Sequence, residues 1–123
     1  MAGKSPTQRT LAELRSRGWE ADICEKWLPH VHRGGGGFGI RQDLFGWIDI
    51  IAIDPDRGVG GIQSTGTAFA EHLRKLTNER AAQVRSWLEA GAWGELWGWR
   101  KLGKVWRPRI RVLTPADFGS IWC

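Results

Sequence analysis

The chain reads as an α/β domain: a mixed β-sheet flanked by helices, in the order helix, strand, strand, strand, helix, strand, strand. Three observations predict this. Isoleucine-rich and alternating runs recur at 43–54, 59–65 and 105–113. An apolar stripe at helical spacing separates the second of them from the third. The order of elements alternates too little for a doubly wound parallel sheet. At 123 residues the chain suits one domain rather than two, here a loose tail over 1–6 and a single unit over 7–123.

The elements follow in order. Leu11 and Leu14 give Thr7–Arg17 an amphipathic helical spacing, with Gly18 as its stop. Trp19–Leu28 reads as a strand ended by Pro29, and the glycine-rich run His30–Ile40 as a flexible loop. That loop is not a phosphate-binding P-loop, because no Gly-Lys-Ser/Thr follows it. It is either a solvated connection or a flap that meets phosphates with Arg33 and Arg41. Asp43–Asp54 (DLFGWIDIIAID) is the strongest strand, apolar on both faces and therefore central. Asp54-Pro55-Asp56-Arg57-Gly58 is a turn, since Pro fixes φ and Gly accepts a positive one. Val59–Thr65 returns as its partner. Residues 66–91 carry Phe69, Leu73, Leu76, Val84, Trp87 and Leu88 as one stripe, which Asn78 bends or interrupts. Glu95–Lys101 and Val105–Leu113 form a hairpin. Pro108 has no N–H, so the second strand belongs at a sheet edge.

Composition narrows the function. Hydrophobic residues make up 41% and aromatic residues 11%, which argues against disorder. No apolar run reaches the roughly 18 residues of a membrane helix, and the polar start is not a secretory signal. Cys24 and Cys123 make no disulfide framework, which points to a reducing, cytoplasmic setting. Cys24 with His30 and His32 lacks zinc spacing, and Cys24 reads as a small buried hydrophobe. Residues 1–60 balance eight basic against eight acidic side chains, so the net charge of +5 resides in residues 61–123. Such asymmetry suits either solubility or a polyanionic partner.

Chemistry concentrates in two places. Asp49 lies in an apolar run, where a carboxylate needs a partner: an arginine such as Arg41 or Arg74, or a metal. A turn centred on Asp56 sets Asp49 opposite Gln63, each seven residues from the centre. Opposed side chains stand about 5 Å apart on one face. Thr65, two residues on, shares that face, so an acid, an amide and a hydroxyl converge. A divalent cation such as Mg²⁺ or Mn²⁺ takes oxygen ligands, with Asp49 and Gln63 first and Glu25, Asp43 or Glu13 adding charge. The second place is the hairpin. Arg100, Lys101, Lys104, Arg107, Arg109 and Arg111 lie in a stretch without an acid, and the last three share a strand face. They suit a phosphate backbone, with Trp97 or Trp99 available to stack on an unpaired base.

The helix, the Asp-bearing strand 43–52 (DLFGWIDIIA), the turn, the strand 61–65 (GIQST) and the long helix resemble the PD-(D/E)XK nuclease superfamily. Within it they are similar to the archaeal-type Holliday-junction resolvases and phage nucleases. The resemblance spans roughly residues 7–113, and its specific part is 43–65. It implies a restriction-endonuclease-like fold and Mg²⁺-dependent hydrolysis of phosphodiester bonds in branched DNA by a homodimer, with no organic cofactor. Asp49 matches the motif aspartate, Gln63 the second acid and Thr65 the motif lysine, whose charge Lys75 would supply. Glu13 or Glu25 would match the glutamate of the first element. The neutral Gln63 and Thr65 depart from the motif, and they also suit a nuclease fold that binds DNA or RNA without cutting it.

Overall fold

The computed structural model describes residues 3–24, 26–33 and 36–121, of which 26–33, 36–41 and 119–121 are described by backbone alone. Helix α1 spans Pro6–Ser16. It starts one residue earlier than the leucine spacing suggests, because Ser5 builds a capping box with Gln8. Pro6 therefore belongs to the helix, and Ser5 is its N-cap.

Five strands form one mixed sheet: β1 (Glu20–Ile23), β4 (Ile50–Asp54), β5 (Gly58–Thr65), β6 (Trp93–Leu102) and β7 (Val105–Leu113), lying side by side in that order. β1, β4 and β5 are mutually antiparallel, β6 runs parallel to β5, and β7 pairs antiparallel with β6 at the edge. The edge position of the Pro108 strand is as expected. β2 (Lys26–Arg33) and β3 (Gly36–Gln42) make a separate two-stranded hairpin.

Three expectations are corrected. The glycine-rich run is not a loop over 30–40. Arg33 pairs with Gly36, His32 with Gly37 and Val31 with Phe38, because a β-ladder uses backbone groups that glycine retains. Nor is Trp19–Leu28 one strand ended by Pro29: β1 stops at Ile23, and β2 starts at Lys26 in the other sheet and runs through Pro29. The register shifts between Leu28 and Val31, and that irregularity accommodates a residue with no N–H. Finally, the strand expected from Asp43 begins only at Ile50. Residues 43–48 fold into a tight turn in which the Gly46 N–H donates to the Asp43 carbonyl at 3.0 Å. Phe45 (φ 55°) and Gly46 (φ 79°) both take the left-handed conformation there.

The long helical stretch divides into α2 (Phe69–Thr77) and α3 (Ala81–Glu89). Asn78 interrupts it, with its side-chain amide donating back to the Arg74 carbonyl at 2.8 Å. Local side chain–backbone bonds of this kind compete with helix propagation. A 3₁₀ segment, Pro115–Ile121, follows β7.

The sheet has a core on each face. Leu14 of α1 packs with Ile50, Ala52, Ile62, Trp93, Trp97 and Trp99 on one side. Phe69, Leu76 and Val84 of α2 and α3 pack with Trp47, Ile48, Leu96 and Leu113 on the other. Gly60 makes room for the side chain of its cross-strand neighbour Trp93. A Cβ on Gly60 would lie 1.9 Å from the Trp93 ring, which also donates its indole N–H to the Gly58 carbonyl at 2.8 Å. Gly60→Ala must displace that indole, so we expect a loss of about 2 kcal/mol. A fall in Tm of roughly 5–10 °C in a thermal melt would register it.

Arg57 ties the β4–β5 turn to β6. Its Nε donates to Asp54 at 2.7 Å and its other arm to Glu95 at 2.8 Å, while Glu95 accepts the Trp97 indole N–H at 2.9 Å. Arg57, and secondarily the Asp56 N–H, hold the Asp54 carboxyl below its ordinary value of 3.8. The folded form thus favours the ionised carboxylate more than the unfolded chain does. Its stabilisation is complete above the ordinary value and lost as pH falls through the lowered one. Urea midpoints between pH 5 and 2 should therefore fall less steeply in Asp54→Asn than in the parent chain.

Candidate functional site

The β4–β5 register bears out the turn arithmetic. Ile50 pairs with Ile62, Ile51 with Gly61 and Asp54 with Gly58, all centred on Asp56. Asp49 sits just outside the ladder, at the start of β4. Its N–H donates to the Ile62 carbonyl at 2.9 Å, and its own carbonyl accepts from the Cys24 N–H at 2.9 Å. Its carboxylate Oδ2 accepts from the Ser64 N–H at 2.8 Å. Asp49 is only 6% exposed, so that amide offsets part of the cost of burying the charge.

Alternation along β5 assigns the neighbours. Ile62 and Ser64 face α1, where the Ser64 hydroxyl donates to Thr10 at 2.8 Å. Gln63 and Thr65 face α2, beside Leu96 and Gly98 of β6. They are 4% and 6% exposed. The Gln63 side-chain oxygen is buried and, among the described residues, has no hydrogen-bond partner. A buried acceptor left unsatisfied costs roughly 1–3 kcal/mol, so this oxygen suits a cation or a water.

The register carries the face onward to the basic hairpin. Gly94, Leu96, Gly98 and Arg100 pair with Leu113, Arg111, Arg109 and Arg107. Arg100, Arg107, Arg109 and Arg111 therefore lie on the same side of the sheet as Gln63 and Thr65. Arg109 rests over the Phe69 ring at 4.2 Å. Arg111 forms an ion pair with Asp117, an acid just beyond the acid-free stretch. Lys101 pairs with Trp106, whose ring lies under Arg9 of α1, so it belongs to the opposite face, while Lys104 sits in the hairpin turn.

Asp43 and Lys75 belong to a separate grouping. With Cys24, Gln42, Arg80 and Gln83 they line an open cleft of about 720 Å³. The Cys24 thiol joins cleft and sheet. It donates to the Ile48 carbonyl at 3.3 Å and packs on the α2–α3 core. Burial, then the charges of Asp49 and Asp43, push its pKa up to about 11, so it stays a neutral thiol. His72 stands one helical turn before Lys75. Burial first and the Lys75 charge second hold its pKa down, against Glu71 and Asp43, and its Nδ1 is buried without a partner among the described residues. Sequence reading passed over His72, although its spacing from Lys75 puts the two on one helical face.

Other expected members stand apart. Glu13 pairs with Arg17 at 3.3 Å on α1, across the sheet from Gln63. Glu25 and the side chain of Arg41 lie outside the described residues. Trp97 and Trp99 do not face solvent. Trp97 is wholly buried under α1, and the Trp99 indole N–H donates to the Thr10 hydroxyl at 2.8 Å, so neither is placed to stack on a base. Among the described residues no three His, Cys, Asp or Glu side chains gather as a metal cluster. The donors that the β4–β5 register sets opposite each other, the Asp49 carboxylate and the Gln63 amide oxygen, are hard oxygens. They fit a cation of the Mg²⁺ class, which needs only one or two carboxylates beside water and phosphate oxygens.

No helix of the described residues is long and apolar enough to cross a membrane. Compared with known proteins, the chain matches no protein-family model, no curated protein and no solved structure.

Proposed function

We propose that this chain is a metal-dependent endodeoxyribonuclease of restriction-endonuclease-like fold that hydrolyses phosphodiester bonds in branched or structured DNA. One observation carries the reading. The buried Asp49 continues the β4–β5 register to a position opposite Gln63, whose side-chain oxygen has no partner among the described residues and whose sheet face carries a row of arginines. The order of elements supports it. A helix, three antiparallel strands, a helical crossover and a strand parallel to the third agree with the PD-(D/E)XK resemblance, with β2–β3 as an insertion.

Asp49 and Gln63 would hold Mg²⁺ or Mn²⁺, which when bound lowers the pKa of water and offsets charge developing on the phosphate. Arg100, Arg107 and Arg109 would run along the sugar–phosphate backbone, and Lys75 would bring the positive charge that Thr65 does not. A homodimer would place two such sites on the two strands of a junction.

A second reading is a nuclease-fold module that binds nucleic acid without cutting it. The neutral Gln63 and Thr65 favour it, since neither supplies the charge that the motif has at those positions. Incubation with Mg²⁺ or Mn²⁺ and four-way junction, flap and linear DNA separates the two. Cleavage supports the nuclease. Binding that weakens steeply with salt, with no cleavage of any substrate, leaves the binding module.

A further inference from the structure

Phe45 is held where a core residue would not be. It is 57% exposed at the tip of the 43–48 turn, and among the described residues it is the only non-glycine with a positive φ. That conformation costs free energy that glycine would avoid, and such positions cluster at binding sites. The turn is firmly held: Leu44 and Ile48 exchange backbone hydrogen bonds at 3.0 Å in both directions. The ring is braced too. Its centroid lies 6.2 Å from that of Trp87, which stands edge-on to the buried Trp47 at 6.2 Å. On one side of Phe45 is the cleft holding Lys75 and Arg80. Arg80 is pressed against Gly46, where an added Cβ would lie 2.9 Å from its guanidinium, and its Nε is buried without a partner among the described residues.

We propose that Phe45 is a stacking platform for an unpaired base, with the phosphates of that strand held by Lys75 and Arg80. This rests on the nuclease reading and narrows its substrate to DNA with a single-stranded segment. A rigid exposed aromatic beside two cations matches what single strands require: a π-face for the base and positive charge for the backbone. The cleft's cations outnumber its one acid, Asp43, which suits a polyanion, while on its other side Phe45 lines an apolar groove with Trp87 and Ala90.

The test uses the full chain in EDTA, with a fluorescein-labelled duplex, blunt or bearing a flap that contains 2-aminopurine. Phe45→Gly should weaken flap binding about tenfold and abolish the quenching of 2-aminopurine. It should leave blunt-duplex binding within about twofold and Tm equal or higher, because glycine relieves the left-handed backbone. Phe45→Trp should restore the quenching. Unchanged flap affinity and quenching in Phe45→Gly would overturn this inference alone. Binding of neither DNA by the parent chain would overturn the nuclease reading with it. A self-association lost in Phe45→Gly, with DNA binding intact, would assign the ring to a second copy instead.

Discussion

Asp49→Asn is expected to reduce Mg²⁺-dependent cleavage at least about 100-fold while leaving DNA affinity within about twofold. Removing one electrostatic group from a reaction centre costs about this much. The substitution is chosen for what it keeps. Asparagine retains a side-chain oxygen able to accept the Ser64 N–H, a bond of 2.8 Å in the parent, and the main-chain bonds to Ile62 and Cys24 do not involve the side chain. The fold should therefore hold. What disappears is the negative charge of the carboxylate that stands opposite Gln63 in the β4–β5 register. A single-turnover assay on a junction or flap substrate, beside a binding isotherm, reads both quantities. Arg109→Ala should do the reverse, weakening binding and flattening its salt dependence by about one phosphate contact. Equal loss of binding and cleavage in Asp49→Asn would show that the carboxylate supports structure, through Ser64, rather than chemistry.

The parts of this site that short-range rules govern were legible in the sequence. The Pro55–Gly58 turn fixed the β4–β5 pairing, because loop length and turn residues set the register of a hairpin. Alternation in β7 put three arginines on one face, and Pro108 marked the edge. Asn78 announced the helix break. The failures share one cause, that a continuous apolar run hides a change of direction. From Asp43 to Asp54 nearly every residue suits a strand, yet Gly46 lets the chain reverse, and Phe45 follows it into a conformation that composition gives no reason to expect. The same limit applies to Trp97 and Trp99. Their basic neighbours suggested a wet surface. The informative residues were Gly94 and Gly98, which leave room for the Trp47 and Phe69 rings on one face and so mark β6 as a covered central strand. Cys24 and Arg80 join the site only through tertiary packing, which one-dimensional spacing does not encode, whereas the helical spacing of His72 from Lys75 does place it.

Gln63→Glu gives the sharpest test of whether a cation belongs here. Gln63 is 4% exposed and shares its sheet face with the arginine row, beside the equally secluded Asp49. A glutamate there would bring a second carboxylate into a site that already confines one. Burying an unpaired charge beside a like charge is strongly unfavourable, so without metal the variant should lose about 3 kcal/mol of stability or take up a proton near neutral pH. A divalent cation reverses the sign of that interaction. It should restore stability in proportion to its concentration over Kd, about 2.7 kcal/mol at a hundredfold excess. The expected result is a Tm in EDTA well below that of the parent chain and a recovery in Mg²⁺ or Mn²⁺ several-fold larger than the parent shows. With Thr65→Lys added, the motif is complete, and cleavage should rise above the parent level or appear where the parent has none. If Gln63→Glu is as stable as the parent in EDTA and indifferent to metal, residues 49 and 63 do not share an ion. The proposed hydrolytic centre would then fall, leaving the binding-module reading of the arginine face as the one to test.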